Sequence, residues 1–246
     1  MDKITIHTWN VHMHTFAEDN LYVIEELDEL KQPDVICLQE YVEGKDASTL
    51  KWLKHNDYNI TYLPFANYPQ DTSISQGIFT AVKKSLKGAS SPVILRKDGP
   101  RRFRNFPNRR GVIDTVITLE DGSIISIINF HATPPKPYTI DMRKSEFDVL
   151  SNYLEELPKD RKVFLCGDFN FFGIDARRNL LKNRFQHFTG TNIHKTWQHN
   201  FPFSPLKLNL DYLFWTQNLA VSAKLRPFKI SDHRPILASI SVPISH

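Results

Sequence analysis

A carboxylate and a carboxamide two residues apart, Asp168 and Asn170, stand at the end of a short apolar run, Val163–Asn170 (Val-Phe-Leu-Cys-Gly-Asp-Phe-Asn). The run is too short for a helix and is bounded by Pro158 and charge on one side and Gly167 on the other, so it reads as a buried strand. Side chains alternate along a strand, which puts Asp168 and Asn170 on one face and within reach of one object beyond its end. Such a pair suits a hard cation or a phosphate ester. The competing reading is an Asp-Phe-Asn turn in which both side chains bond their own backbone, and the octet alone favours it.

Other strand-like runs end the same way. Ile4–Asn10 closes on Asn10, Val35–Glu40 runs through Leu38 into Gln39 and Glu40, and Ile124–His131 ends in Asn129 and His131. Ile236–Val242 follows directly on Ser231-Asp232-His233-Arg234-Pro235, and Asp211 opens the aromatic run Tyr212–Trp215. Asn10, Glu40, His131, Asp168, Asn170, Asp211, Asp232 and His233 are therefore polar groups gathered at strand edges. An acid such as Glu40, where core meets solvent, is either a plain exposed strand-end residue or a group that must be paired or bound to metal.

Taken in order, Thr8-Trp9-Asn10, Leu38-Gln39-Glu40, Asn129-Phe130-His131, Gly167-Asp168-Phe169-Asn170, Leu210-Asp211-Tyr212 and Ser231-Asp232-His233 resemble the successive motifs of the endonuclease/exonuclease/phosphatase superfamily. That group includes DNase I-like and abasic-site endonucleases. Each tripeptide is weak by itself; the family's order, sustained from residue 4 to about residue 242, carries the resemblance. It implies an α/β (α+β) fold, a four-layer αββα sandwich of two mixed β-sheets flanked by helices, with the site at one end. It also implies a metal-dependent phosphodiester hydrolase, foremost a nuclease acting on DNA or another nucleic acid by in-line attack of water. The alternatives are a lipid or inositol phosphate phosphodiesterase or phosphatase, and a non-catalytic nucleic-acid binder.

The resemblance further assigns roles. Glu40 matches the family's Mg²⁺-binding glutamate, with Asp232 and Asn10 as further metal candidates and Mn²⁺ as an alternative ion. His233, paired with Asp211, is a candidate general base, since an imidazole beside a carboxylate can accept a proton near neutrality. Asp168 is the other candidate for that role. Asp168 and Asn170 would orient the water and the scissile phosphate, and His131 would serve as an acid or a phosphate contact.

The elements that must position these groups can be traced along the chain. Strands are expected at Ile4–Thr8, Val35–Leu38, Tyr58–Leu63 and Gly77–Val82. Leu21, Ile24, Leu27 and Leu30 make a stripe on an amphipathic helix between residues 19 and 30. Leu50, Trp52 and Leu53 point to a short helix. Gly111–Leu119 and Ser123–Phe130 flank Glu120-Asp121-Gly122, a hairpin signal because Asp-Gly supplies the positive-φ turn. A second amphipathic helix is expected over Asp141–Leu157, a basic helix over Ala176–Phe188, an irregular segment over Gly190–His199, and strands at Tyr212–Trp215 and Ile236–Val242.

Between Arg101 and Arg110 five arginines interleave with two phenylalanines. Guanidinium forks fit phosphate oxygens and the rings could stack on bases, which makes Arg109 and Arg110 candidate substrate contacts; a solvated loop is the equal alternative. Phe171-Phe172 and Phe201-Pro202-Phe203 are apolar pairs that either pack under the site or touch a base stack or lipid. The formal charge of +4 and pI of about 8.9 favour a polyanionic partner without demanding one.

At 246 residues with no linker-like stretch, residues 1–246 are expected to form a single domain. No apolar run approaches the ~20 residues of a membrane span, and Met1-Asp2-Lys3 does not begin a signal peptide. Cys37 and Cys166 lie inside apolar runs and are expected to be reduced and buried. Together these point to a cytoplasmic protein, expected to act as a monomer.

Overall fold

The computed structural model describes residues 3–12, 20–43, 48–68, 71–96, 110–134, 140–170, 185–188, 196–200, 205–227 and 231–243. One sheet is built from β1 (Lys3–Asn10), β2 (Val35–Glu43), β3 (Tyr58–Tyr68), β4 (Asp71–Lys83), β13 (Ala220–Leu225) and β14 (Ile236–Ser241), in the order β13-β14-β1-β2-β4-β3. A second sheet holds β5 (Gly88–Arg96), β6 (Arg110–Thr118), β7 (Ile124–His131), β8 (Lys162–Asp168), β9 (Phe185–Phe188) and β12 (Asp211–Thr216), in the order β5-β6-β7-β8-β12-β9. β10 (Trp197–Asn200) and β11 (Pro205–Leu208) form a separate two-stranded ribbon. Each large sheet is mixed: β1 runs parallel to β2 and β7 parallel to β8, while their other neighbours are antiparallel.

The period of two decides what each strand gives to each face. Along β1, Ile4 and Ile6 join Val35 and Cys37 of β2 in a core shared with Ile125, Ile127, Phe164, Cys166 and Leu213 of the opposite sheet. The intervening residues Trp9, Ile36 and Leu38 face outward, against Val23 and Leu27 of α1 (Asn20–Glu29) and Leu53 of α2 (Ser48–His55). On the other outer face, Leu150 and Leu154 of α3 (Ile140–Glu156) cover Ile128, Phe130, Val163 and Leu165. The result is the expected four-layer arrangement of helix, sheet, sheet and helix.

Most element expectations hold to within a few residues. The Asp-Gly turn is present, with Gly122 at φ 80° and the Asp121 carboxylate accepting from Ser123 N. Cys37 and Cys166 are buried free thiols. Among the described side chains of α1, Val23, Glu26 and Leu27 are buried; of the expected stripe, Ile24 and, just past the helix, Leu30 are only half-buried, and the Leu21 side chain lies outside the described ones. Two expectations need correction. The basic helix expected over 176–188 is overturned where the structure describes it: residues 185–188 are β9, paired antiparallel to β12. The segment expected to be irregular closes in β10, paired with β11. At β9 pairing with β12 outweighs the local pattern, and at β10 the pairing is with β11, the next strand along the chain. Residues 101–109, 171–184 and 201–204, which include Arg109 and both apolar pairs, lie outside the described residues. Among the described residues, no helix is long and apolar enough to cross a membrane.

Candidate active site

Three inward-facing positions reach the same end of the sandwich through alternation alone. Asn10 continues the face of Ile4 and Ile6, His131 that of Ile125 and Ile127, and Asp168 that of Phe164 and Cys166. Register then aligns them: His131 is the pairing partner of Asp168 on β8, and Asp211 pairs with Asp168 from the other side. Glu40 arrives differently. Strict alternation would send it outward with Ile36 and Leu38, but the β2 register slips between Leu38 and Tyr41, and Glu40 takes φ 53°. This bulge turns its carboxylate inward, to 3.4 Å from Asn10 Nδ2 and 3.6 Å from His131 Nε2.

Asp168 lies at the centre. Its Oδ2 accepts from Asn10 Nδ2 (2.9 Å) and Asn170 Nδ2 (3.0 Å), and its Oδ1 from Asn170 N (2.8 Å). That last bond is an Asx turn, with Asn170 at φ 50°, so the turn and the site turn out to be the same structure. The Asn170 amide also donates to Ala132 O and lies 3.3 Å from His131 Nε2. Gly167 makes this possible: at φ 133°, a Cβ there would sit 1.9 Å from Phe130 O. Burial pushes the Asp168 carboxyl up to about 7, against the pull of the His233 charge and the donors from Asn10 and Asn170.

His233 is held by Asp211, whose Oδ2 lies 2.8 Å from Nδ1, while Nε2 looks toward Asp168 Oδ2 at 3.8 Å. Burial works to lower its pKa, but the carboxylates of Asp211, Asp168 and Asp232 outweigh it and raise the value to about 10. His233 is thus an imidazolium near neutrality. His131 is driven the opposite way, well below the ordinary range, by burial and by the charges of Arg110 and His233. One end of the sandwich therefore holds a charged imidazole, a neutral imidazole and a carboxyl whose proton is easily moved.

A divalent cation, implied by the resemblance, fits the donors on this rim. Ligand atoms of Glu40, His131 and Asp168 lie within 4.8 Å of one another. Asp232 adds a further oxygen: Trp197 Nε1 donates to its Oδ2 (2.7 Å), while Oδ1 is buried and accepts no hydrogen bond of good geometry among the described residues. That oxygen faces positive charge, with His233 Nε2 at 3.9 Å. Asn10 turns its NH₂ toward Glu40 and Asp168, and its Oδ1 accepts from His12 N (2.8 Å).

Arg110, half-buried, lies 4.7 Å from the Phe65 ring centre, and its charge is felt at His131. Several supporting residues carry no signal that a local pattern could reveal. Arg143 Nη2 donates to Asn170 O (2.5 Å), and the buried Glu146 accepts from Thr133 N (2.9 Å) and Thr133 Oγ1 (2.6 Å). Three residues apart on α3, they grip the segments that leave β8 and β7. Beneath the site, Gln39 Nε2 donates to Asn129 Oδ1 (2.8 Å), and Asn129 Nδ2 donates to Phe79 O (2.9 Å), a polar tie between the two sheets.

Comparison with known proteins agrees with this fold. The model of the Endonuclease/Exonuclease/phosphatase family matches residues 7–233. Among solved structures, an endonuclease/exonuclease/phosphatase from Beutenbergia cavernae DSM 12333 superposes with a TM-score of 0.78 at 15% identity, covering 98% of this chain and 72% of the other. D. rerio TDP2 complexed with single strand DNA product gives 0.73 at 16% identity, over 98% and 100% of the two chains. The human Nocturnin catalytic domain with bound sulfate anion gives 0.71 at 17%, over 98% and 94%. No curated protein matches by sequence. With the family model spanning nearly its whole length and the motif residues meeting at one rim, the chain belongs to the endonuclease/exonuclease/phosphatase family.

Proposed function

We propose that this protein is a metal-dependent phosphodiester hydrolase that cleaves nucleic acid by in-line attack of water. Family membership supports phosphoric ester hydrolysis, and the observation that carries the finer reading is the Asp168 cluster. A carboxylate fixed by two side-chain amides and a backbone N–H faces an imidazolium that a second carboxylate holds in place. Asp168 takes the proton from the attacking water, because it is the group whose burial leaves its carboxyl easily protonated near neutrality. His233, charged and fixed by Asp211, meets the phosphate oxygens, as do the Asn170 amide and His131. Arg110 supplies further positive charge for a polyanion, and Arg109, next to it in the sequence, would add to it. When bound by Glu40 and Asp232, with Asn10 alongside, Mg²⁺ or in its place Mn²⁺ would neutralise charge developing on the phosphoryl group.

Nucleic acid is the preferred substrate because the structurally similar TDP2 was solved with a single-stranded DNA product and because the sequence carries its densest positive charge next to Arg110. The test is turnover of single-stranded and abasic oligonucleotides, plasmid DNA and bis-p-nitrophenyl phosphate with added Mg²⁺ or Mn²⁺. Cleavage of the nucleic acids, abolished by a chelator and reduced ~100-fold or more in Glu40→Ala and His233→Ala, is expected. Folded protein that binds DNA with steep salt dependence yet cleaves nothing would support a binder instead.

A further inference from the structure

Nothing in the family motifs accounts for His12. It follows the first motif by two residues and adopts φ 49°, a left-handed conformation that a non-glycine residue takes up only when its surroundings enforce it. The enforcing contact is visible: the Asn10 side-chain oxygen accepts from His12 N (2.8 Å), closing an Asx turn. The turn aims the ring at the carboxylate rim, where Nδ1 lies 3.3 Å from Asp232 Oδ1 and 4.0 Å from Glu40 Oε2.

We propose that His12 is an imidazole ligand of the divalent-metal site and shifts that site toward transition ions and away from Mg²⁺. The inference rests on the reading of Glu40 and Asp232 as the metal-holding carboxylates. Two donors sharing an ion at bond lengths of ~2.1 Å are separated by about 3 Å when adjacent and by a little over 4 Å when opposite. Both distances from His12 Nδ1 fall in that window. The oxygen it meets is also the one left without a good donor: Trp197 takes Asp232 Oδ2, and Oδ1 is buried and orphaned.

A bare ion pair is the competing account. An ion pair on a ring whose side chain is 42% exposed gains little. Ligation explains the aim of the ring and the orphaned oxygen together. The chemistry follows from ligand type. Mg²⁺ prefers oxygen ligands and keeps several waters, whereas imidazole suits Co²⁺, Zn²⁺ and, more weakly, Mn²⁺.

The experiment is calorimetric titration of the chelator-treated full chain with Co²⁺, Mn²⁺ and Mg²⁺ separately, in the parent, His12→Asn, His12→Ala and Glu40→Ala. Asn tolerates the left-handed backbone, so His12→Asn removes the imidazole while keeping the turn. The expected result is a ~10-fold or greater loss of Co²⁺ affinity in both His12 variants, with Mg²⁺ affinity changed less than about threefold. Pulsed electron paramagnetic resonance of the Mn²⁺-loaded parent should show a ¹⁴N coupling that weakens in His12→Asn and persists in His131→Ala. Equal losses for Co²⁺ and Mg²⁺, no loss, or tighter binding in the His12 variants would overturn the proposal, the last by identifying His12 as a competing cation. If Glu40→Ala also leaves all three affinities intact, or the parent binds no ion, the metal reading of the whole rim falls, not the role of His12 alone.

Discussion

Asp211 acts on the site through His233. Its 2.8 Å contact with Nδ1 fixes the ring orientation and leaves Nε2 facing Asp168, and its charge is the foremost influence holding the imidazole proton in place against burial. Asp211→Asn keeps the shape and a hydrogen-bonding partner but removes the charge and permits the wrong tautomer. Because Asp211 is buried and pairs with Asp168 across the β12–β8 ladder, the isosteric change should preserve the fold. The expected outcome is a thermal midpoint near that of the parent and turnover of an oligonucleotide lower by ~100-fold or more. A well-folded Asp211→Asn protein with parental turnover would show that the pair is structural.

At the scale of the elements, the strand ends decide the site, and Gly167 is the tightest of them. Its backbone is positive in φ, and an added Cβ would meet the Phe130 carbonyl at 1.9 Å, in the parallel β7–β8 pairing that aligns His131 with Asp168. Gly167→Ala must therefore part the two strands or refold the turn. A destabilisation of roughly 3 kcal/mol or more is expected, measured by urea unfolding, with activity lost even where the protein remains folded. A stable, active Gly167→Ala protein would contradict the backbone path through β8. These ends also mark how far the sequence could be read. Alternation put Asp168 and Asn170 within reach of one object, and an Asx turn and a shared site were both legible at Asn170. The same rule points Glu40 outward, and only the bulge and positive φ, which no local pattern announces, bring it in. Trp197 and Arg143 escaped notice because their partners, Asp232 and Asn170, are 35 and 27 residues away. β5 and β13 are edge strands, one carrying Pro92 among small residues and the other half-exposed along its length, so neither shows a strong apolar rhythm.

At the scale of the whole molecule, the site draws on both sheets, so whatever keeps the outer layers docked also keeps the carboxylates together. His7 lies in such a layer. It faces outward from β1, wholly buried, near Glu26 of α1 (3.9 Å) and under the influence of Arg226, which bridges to Glu26 (3.1 Å) and Glu29 (2.7 Å). Neither ring nitrogen has a hydrogen-bond partner among the described residues. Burial, then the charge of Arg226, lowers its pKa from 6.5 to about 3. Between those values the unfolded chain binds a proton that the folded chain refuses, so unfolding takes up protons and acid favours it. The contribution of His7 to stability is thus fully present above about pH 6.5 and is lost progressively as the pH falls toward 3. From about pH 7.5 to about pH 5 the loss should be roughly 2 kcal/mol. Other groups titrate over the same range, so the informative quantity is a difference: urea unfolding at both pH values for the parent and for His7→Leu, which fills the site without a titrating group. His7→Leu should lose less stability on acidification than the parent, by about that amount. Identical losses in the two proteins would mean that His7 gains its proton in the folded state, and that the layer between β1 and α1 is open enough to solvate an imidazolium.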